Sequence, residues 1–242
     1  MSTNLPKNEA SFSRRKFLKL GIIGALVTTL AGSTARAGSY TIPKPQNVLT
    51  PDQALARLKS GNLRYINGTM KRHDFISERE PLALGQNPFA GVLSCADSRI
   101  APEFAFDTAR GDLFVVRVAG NFLEKDGLAS FEFAVAVLGT PLIVVLGHES
   151  CGAVDSTIKA VQDGAVFPGH IPSLVRSLKP AVIQAEKMQG NLLVNSTREN
   201  VILNVEKLKK ASPILSKAVE SGKLKIVGAV YNLSNGKVEW VK

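Results

Sequence analysis

The chain of 242 residues holds two cysteines, and each stands beside side chains that could act with it. Residues 94–99 read SCADSR, so Cys95 is followed closely by Asp97 and Arg99; residues 147–152 read GHESCG, so His148 lies three residues before Cys151. Two thiolates and an imidazole are a soft donor set that suits zinc, and three protein ligands leave a fourth position open, as catalytic rather than structural zinc sites do. A plainer reading makes Cys95 a small buried apolar residue and Asp97 with Arg99 a surface ion pair of little consequence. A third joins the two cysteines in one disulfide, which an oxidising compartment would permit.

A joint role requires that two distant stretches meet, and the elements around them predict that they do. FAGVLSC (89–95), DLFVVRVAG (112–120) and PLIVVLGHE (141–149) are short apolar runs without polar alternation, as expected for strands buried on both faces of a mainly parallel sheet. ASFEFAVAVLG (129–139) reads as a crossover helix, and further helices are expected at 153–162, at 171–189 and from Thr197 to about Glu220. LKIVGAVYNLSNGKVEWV, ending at Val241, reads as two strands turning around Asn235-Gly236. Upstream, TPDQALARLKSGNLRYING begins with a helix cap at Thr50 and spaces Ala54, Leu55, Leu58 and Leu63 as a helix that packs on something. The fold class is α/β: a mainly parallel central β-sheet flanked by helices, with an N-terminal helical arm and a C-terminal β-hairpin. Cys95 and His148 then follow the carboxyl ends of two strands, the edge where ligands bind in open α/β sheets.

The first 37 residues read as a signal. SRRKFLKL (13–20) carries paired arginines, leads into the apolar run GIIGALVTTLAG and reaches Ala35-Arg36-Ala37, a small-x-small cleavage pattern. The run from Gly21 to Gly32 falls short of the roughly 20 residues that a membrane span needs, which argues against a permanent anchor. The expected division is a twin-arginine signal peptide at 1–37, a proline-bearing lead at 38–47 and one domain at 48–242, exported to the periplasm or another extracytoplasmic space. Removing the signal takes away five of the ten net positive charges. What remains, such as Lys207, Lys209, Lys210 and Lys217, reads as a solvated helix face; with no aromatic interleaving it gives no reason to expect nucleic acid as a partner. Twin-arginine substrates are associated with folding before transport, so the metal would be loaded while both thiols are reduced. That weighs for zinc over the disulfide, as do His148 and the flanking Gly147 and Gly152.

At these residues the sequence resembles the β-class carbonic anhydrases. The likeness is carried by Cys-x-Asp-x-Arg at 95–99 and His-x-x-Cys at 148–151, supported by GDLFVVRVAGN, SFEFAV, VLGHESCGAV and IVGAVYNLSNGKVEW, and it extends from about residue 48 to the C terminus. Val118 departs from it, standing where many relatives have Asn before Ala-Gly-Asn.

The resemblance implies reversible hydration of carbon dioxide to bicarbonate, with one zinc per chain held by Cys95, His148 and Cys151. Zinc lowers the pKa of bound water from 15.7 toward roughly 7, giving a hydroxide that attacks carbon dioxide. Two thiolates neutralise more of its charge than imidazoles would, so that water should be somewhat less acidic than in a three-histidine site. Asp97 and Arg99 are the implied catalytic pair: Arg99 holds the Asp97 carboxylate off the metal, leaving it to orient the hydroxide. Gln86 matches the substrate-binding glutamine of the plant-like branch, and Val92 stands where the bicarbonate-regulated branch has Trp. His73 and His170 read as loop histidines. Within this family the site lies at a dimer interface, so a homodimer or higher homo-oligomer is expected. The other readings are a zinc hydrolase of carbon disulfide or carbonyl sulfide on the same fold and, from another class, an exported disulfide-linked binding module without metal.

Overall fold

The structure is a computed structural model and describes residues 49–211 and 213–241. The signal peptide, the proline-bearing lead and residue 48 lie outside those residues. In chain order the elements are α1 (Pro51–Ile66), α2 (Arg79–Ala83), β1 (Ala90–Ser94), α3 (Pro102–Ala105), β2 (Leu113–Arg117), α4 (Lys125–Ala136), β3 (Leu142–His148), α5 (Gly152–Gln162), α6 (Ile171–Ala185), α7 (Leu192–Lys210), α8 (Ile214–Glu220), β4 (Lys225–Tyr231) and β5 (Val238–Val241). The strands form one sheet in the order β2-β1-β3-β4-β5, parallel except for the final antiparallel pair. β1 and β3 are buried along their whole lengths, which explains why their sequences show no polar alternation.

Each face of the sheet has its own core. On one, Val92, Val144, Leu146 and Ala229 pack with Ala54 and Leu58 of α1 and with Phe89 and Phe106. On the other, Leu93, Ile143, Val145 and Ile226 pack with Phe131 of α4, Val201, Val205 and Leu208 of α7, and Leu215 of α8. A third cluster, with Cys95, Phe122, Cys151, Val154 and Leu178, gathers at the carboxyl ends of the strands.

Two expectations change. The helix expected from Thr197 to Glu220 is two helices: α7 starts earlier, where Asn191 Oδ1 accepts from the Val194 amide at 3.0 Å, and it stops at Lys210. Pro213 causes the break, because proline lacks an N–H for the helical ladder and disfavours helix at the residue before it. In α1 the buried stripe is Ala54, Leu58, Gly61 and Asn62, while Leu63 is 57% exposed. The stripe follows the i, i+4, i+7, i+8 rhythm, and Leu63 falls just off it.

Gly61 and Asn62 are on that stripe for contact with backbone. Asn62 Nδ2 donates to the carbonyls of Ala105 (2.9 Å) and Gly236 (2.8 Å), and its Oδ1 accepts from the Val238 amide at 3.0 Å, tying α1 to α3 and the hairpin of its own chain. A Cβ on Gly61 would overlap the Phe106 carbonyl. Gly61→Ala, although it favours helix, should therefore destabilise the fold by about 1–3 kcal/mol, the usual range for overpacking. Thermal unfolding checks this, and an unchanged or raised Tm would refute the close approach.

Candidate metal centre

Cys95 directly follows β1 and His148 ends β3, so the parallel register that pairs Ser94 with Leu146 brings both residues to one edge. The chain turns after His148 through Ser150, which has a left-handed φ of 51°, and enters α5 with Cys151 at the N-cap. Sγ of Cys95, Sγ of Cys151 and a ring nitrogen of His148 lie within 4.8 Å of one another, and all three residues are buried. The sulfurs are 4.0 Å apart and both cysteines are free, a separation about twice the length of a disulfide bond.

The set fits a metal. A tetrahedral centre with metal–sulfur distances of about 2.3 Å needs its sulfurs roughly 3.8 Å apart, close to the spacing here. His148 Nδ1 lies 2.8 Å from the Glu149 carbonyl, so Nδ1 carries the proton and Nε2 presents its lone pair. That Nε2 is buried with no hydrogen-bond partner, a costly arrangement unless it binds something. Charge points the same way. The two thiols shift each other in opposite directions: a hydrogen bond with Cys151 holds the Cys95 thiol below its ordinary pKa, and Cys95 in turn pushes Cys151 up. Burial opposes charge on His148, yet the neighbouring Cys95 and Asp97 raise its pKa overall.

Asp97 is clamped beside this set. Arg99 donates Nε to Asp97 Oδ1 at 2.9 Å and Nη2 to Oδ2 at 2.7 Å, and its backbone amide adds a third bond at 2.9 Å. These donors hold the Asp97 carboxyl well below the usual carboxylate range. A further bond from Arg99 Nη2 to the Ser150 carbonyl, at 3.1 Å, locks the pair to the turn between His148 and Cys151. Asp97 Oδ2 is 3.8 Å from His148 Nε2, near enough to compete for the position the histidine faces.

Three supporting residues escape a reading by motif. Arg117, at the end of β2, donates to the carbonyls of Cys95 (2.9 Å), Asp97 (2.8 Å) and Ile100 (3.0 Å), stapling the loop that carries the clamp. Asn200 and Asn204 reach the neighbouring 118–123 loop from α7. The available signal was a polar residue inside an otherwise apolar pattern: an arginine closing LFVV, and asparagines one turn apart on a buried helix stripe.

The chain does not bring Gln86 to the cluster. It is exposed and precedes the amino end of β1, whereas Cys95 follows the carboxyl end. His170 lies at the start of α6, and His73 sits 3.6 Å from Glu78. Val118 packs partly buried against the cluster of Cys95, Phe122 and Cys151, so the surroundings there are apolar.

Comparison with known proteins agrees with this geometry. Residues 90–238 match the family described as "Carbonic anhydrase". The chain is 38% identical over 188 residues to "Carbonic anhydrase 2" of Mycobacterium tuberculosis, covering 77% of this chain and 91% of that one. It is likewise 38% identical over 190 residues to "Carbonic anhydrase" of Mycolicibacterium smegmatis, covering 78% and 92%. Among solved structures it is similar to a Coccomyxa β-carbonic anhydrase in complex with acetazolamide, with a TM-score of 0.60 and 27% identity over 69% of this chain and 78% of that one.

Proposed function

We propose, from the premise that the chain belongs to the β-carbonic anhydrase family, that it catalyses the reversible hydration of carbon dioxide to bicarbonate and a proton, with one zinc per chain. The observation that carries this reading is the buried, unpartnered Nε2 of His148 beside two free sulfurs and a clamped carboxylate. Zinc bound there supplies Lewis acidity that makes water a nucleophile near neutral pH. Cys95, His148 and Cys151 hold it. Arg99 occupies both Asp97 oxygens and so keeps the carboxylate from becoming a fourth ligand, while Asp97 retains lone pairs to accept and orient a proton-bearing oxygen. Val118 and Phe122 pack against the two cysteines and make their surroundings apolar, which suits carbon dioxide better than its charged product. Zinc content measured beside carbon dioxide hydration tests the proposal: about one equivalent of zinc with activity is expected, and active protein without zinc would overturn it.

The plant-like assignment rests on Gln86 and on Val92, which is wholly buried in the core where the regulated branch would place Trp. β1 spans about 13 Å from its first residue to its last, at the usual rise of a strand, and separates Gln86 from its own metal ligands. On the plant-like reading Gln86 serves the site of a neighbouring copy rather than that of its own chain. The half-covered edge strand β2 and the 63% exposure of Phe104 support a dimer or larger homo-oligomer.

No helix among the described residues is long and apolar enough to cross a membrane. We place the mature protein outside the cytoplasm on the strength of the paired Arg14 and Arg15 and the Ala35-Arg36-Ala37 site. Replacing both arginines with lysine should leave unprocessed, active enzyme in the cytoplasm, as fractionation and immunoblotting would show. Normal export of that variant would exclude the twin-arginine route.

A further inference from the structure

α7 buries two asparagines on its apolar stripe, Asn200 at 2% and Asn204 at 1% exposure. A side-chain amide so placed is costly unless its donors and acceptor are matched. Here the matches lead to one loop. Asn204 Nδ2 donates to the Asn200 carbonyl at 2.7 Å and to Asn200 Oδ1 at 2.9 Å, and Asn204 Oδ1 accepts from the Leu123 amide at 2.8 Å. With its Oδ1 taken, Asn200 must turn Nδ2 to the loop, where it donates to the Gly120 carbonyl at 2.8 Å. The Gly120 amide in turn donates to Cys95 Sγ at 3.2 Å. Gly120 has a left-handed φ of 86°, and a Cβ there would strike Leu178, so the loop has little room to present that amide in another way. The next residue of α7, Val201, packs on Gly147, immediately before His148. One helix therefore gauges the position of both halves of the donor set.

We propose that Asn200 and Asn204 are positioning residues for the metal centre, fixing through the Gly120 amide the direction and charge of the Cys95 sulfur. The proposal rests on Cys95, His148 and Cys151 being the zinc ligands. A sulfur that accepts an N–H bond gives less charge to a metal and is held in one orientation; without that bond it is a stronger but less directed donor.

The test uses the full chain loaded with zinc, cobalt(II) or cadmium-113. Asn200→Asp keeps the shape and turns an acceptor toward the Gly120 carbonyl; Asn204→Ala removes the orienting group, and with it the acceptor of the Leu123 amide, while leaving the Asn200–Gly120 partners and the metal ligands in place. Zinc affinity measured by chelator competition should fall about 10- to 100-fold in Asn200→Asp, the range for loss of an outer-shell partner, and less in Asn204→Ala. In both, the sulfur-to-cobalt absorption band should move to longer wavelength and the midpoint of the pH–rate profile should rise. Val205→Ala on the same helix should lower Tm and leave all three readouts unchanged. In cadmium-loaded wild-type protein the Gly120 amide proton should show scalar coupling to the metal across the sulfur, a readout that needs no variant to fold. Absence of that coupling, or wild-type affinity, band and pH midpoint in either folded variant, overturns the proposal and leaves the zinc assignment standing. Wild-type protein that binds none of the three metals through Cys95 overturns both.

Discussion

Cys151→Ser is expected to purify with little of its zinc and to lose hydration activity at least 100-fold. The argument is one of magnitude. Removing an outer-shell partner of a metal ligand already costs about 10- to 100-fold in affinity or activity, and removing the ligand itself costs more. Serine fills the space but offers an alcohol in place of a soft thiolate, at a position only 1% exposed. Metal analysis and stopped-flow hydration read the two losses, with circular dichroism showing that the fold persists. A Cys95–Cys151 disulfide found by mass spectrometry in active protein would refute the zinc site, since a bonded pair cannot supply two thiolates.

Arg99→Ala should give the complementary result, zinc retained and activity reduced by at least about 100-fold, because the group it removes controls which oxygen reaches the metal. Freed of its two side-chain bonds, Asp97 lies near His148 Nε2 with an unclamped carboxylate able to take the open position. Asp97→Asn should also be impaired with zinc in place, through loss of the anionic acceptor. Full activity in both variants would return the pair to an ordinary ion pair. The pH dependence has a definite sign. Arg99 depresses the Asp97 pKa in the folded state, so the stabilisation is present above the ordinary carboxylate value near 3.9 and is lost only as pH falls through the lower folded value. Asp97 should thus remain ionised at pH 4 in the wild type and titrate closer to the ordinary value in Arg99→Ala, which carbonyl-carbon NMR of the side chain can follow.

Much of this site was legible because its ligands sit next to strong local signals. The continuous apolar runs ending at Ser94 and His148 announce buried parallel strands, and strand ends announce where ligands bind. The supporting groups were less legible because their roles depend on tertiary register. Nothing local to Asn200 says that Gly120 will lie across from it, and Arg117 acts on carbonyls that every residue possesses. The same limit explains Leu63: an apolar count finds a helix, but only packing decides that Gly61 and Asn62 face inward. Pro213 was legible in principle as a helix breaker, and apolar spacing on either side of it masked the signal.

The sheet order also constrains how the protein is made. β1 and β3 are neighbours in space, but β2 and α4 lie between them in the chain, so Cys95 reaches the other two donors only after a non-local parallel pairing has formed. Such pairings come late in folding, because the loop must be closed before its contacts reward it. His148 and Cys151, by contrast, are near neighbours in any conformation. An unfolded chain therefore offers a two-donor chelate and a folded one three, so binding energy gained from the third donor is also folding energy. Zinc added during refolding should accelerate nothing before β1 docks on β3 and should hold the chain together afterwards, so that the metal works as a latch on a finished sheet rather than as a seed for it.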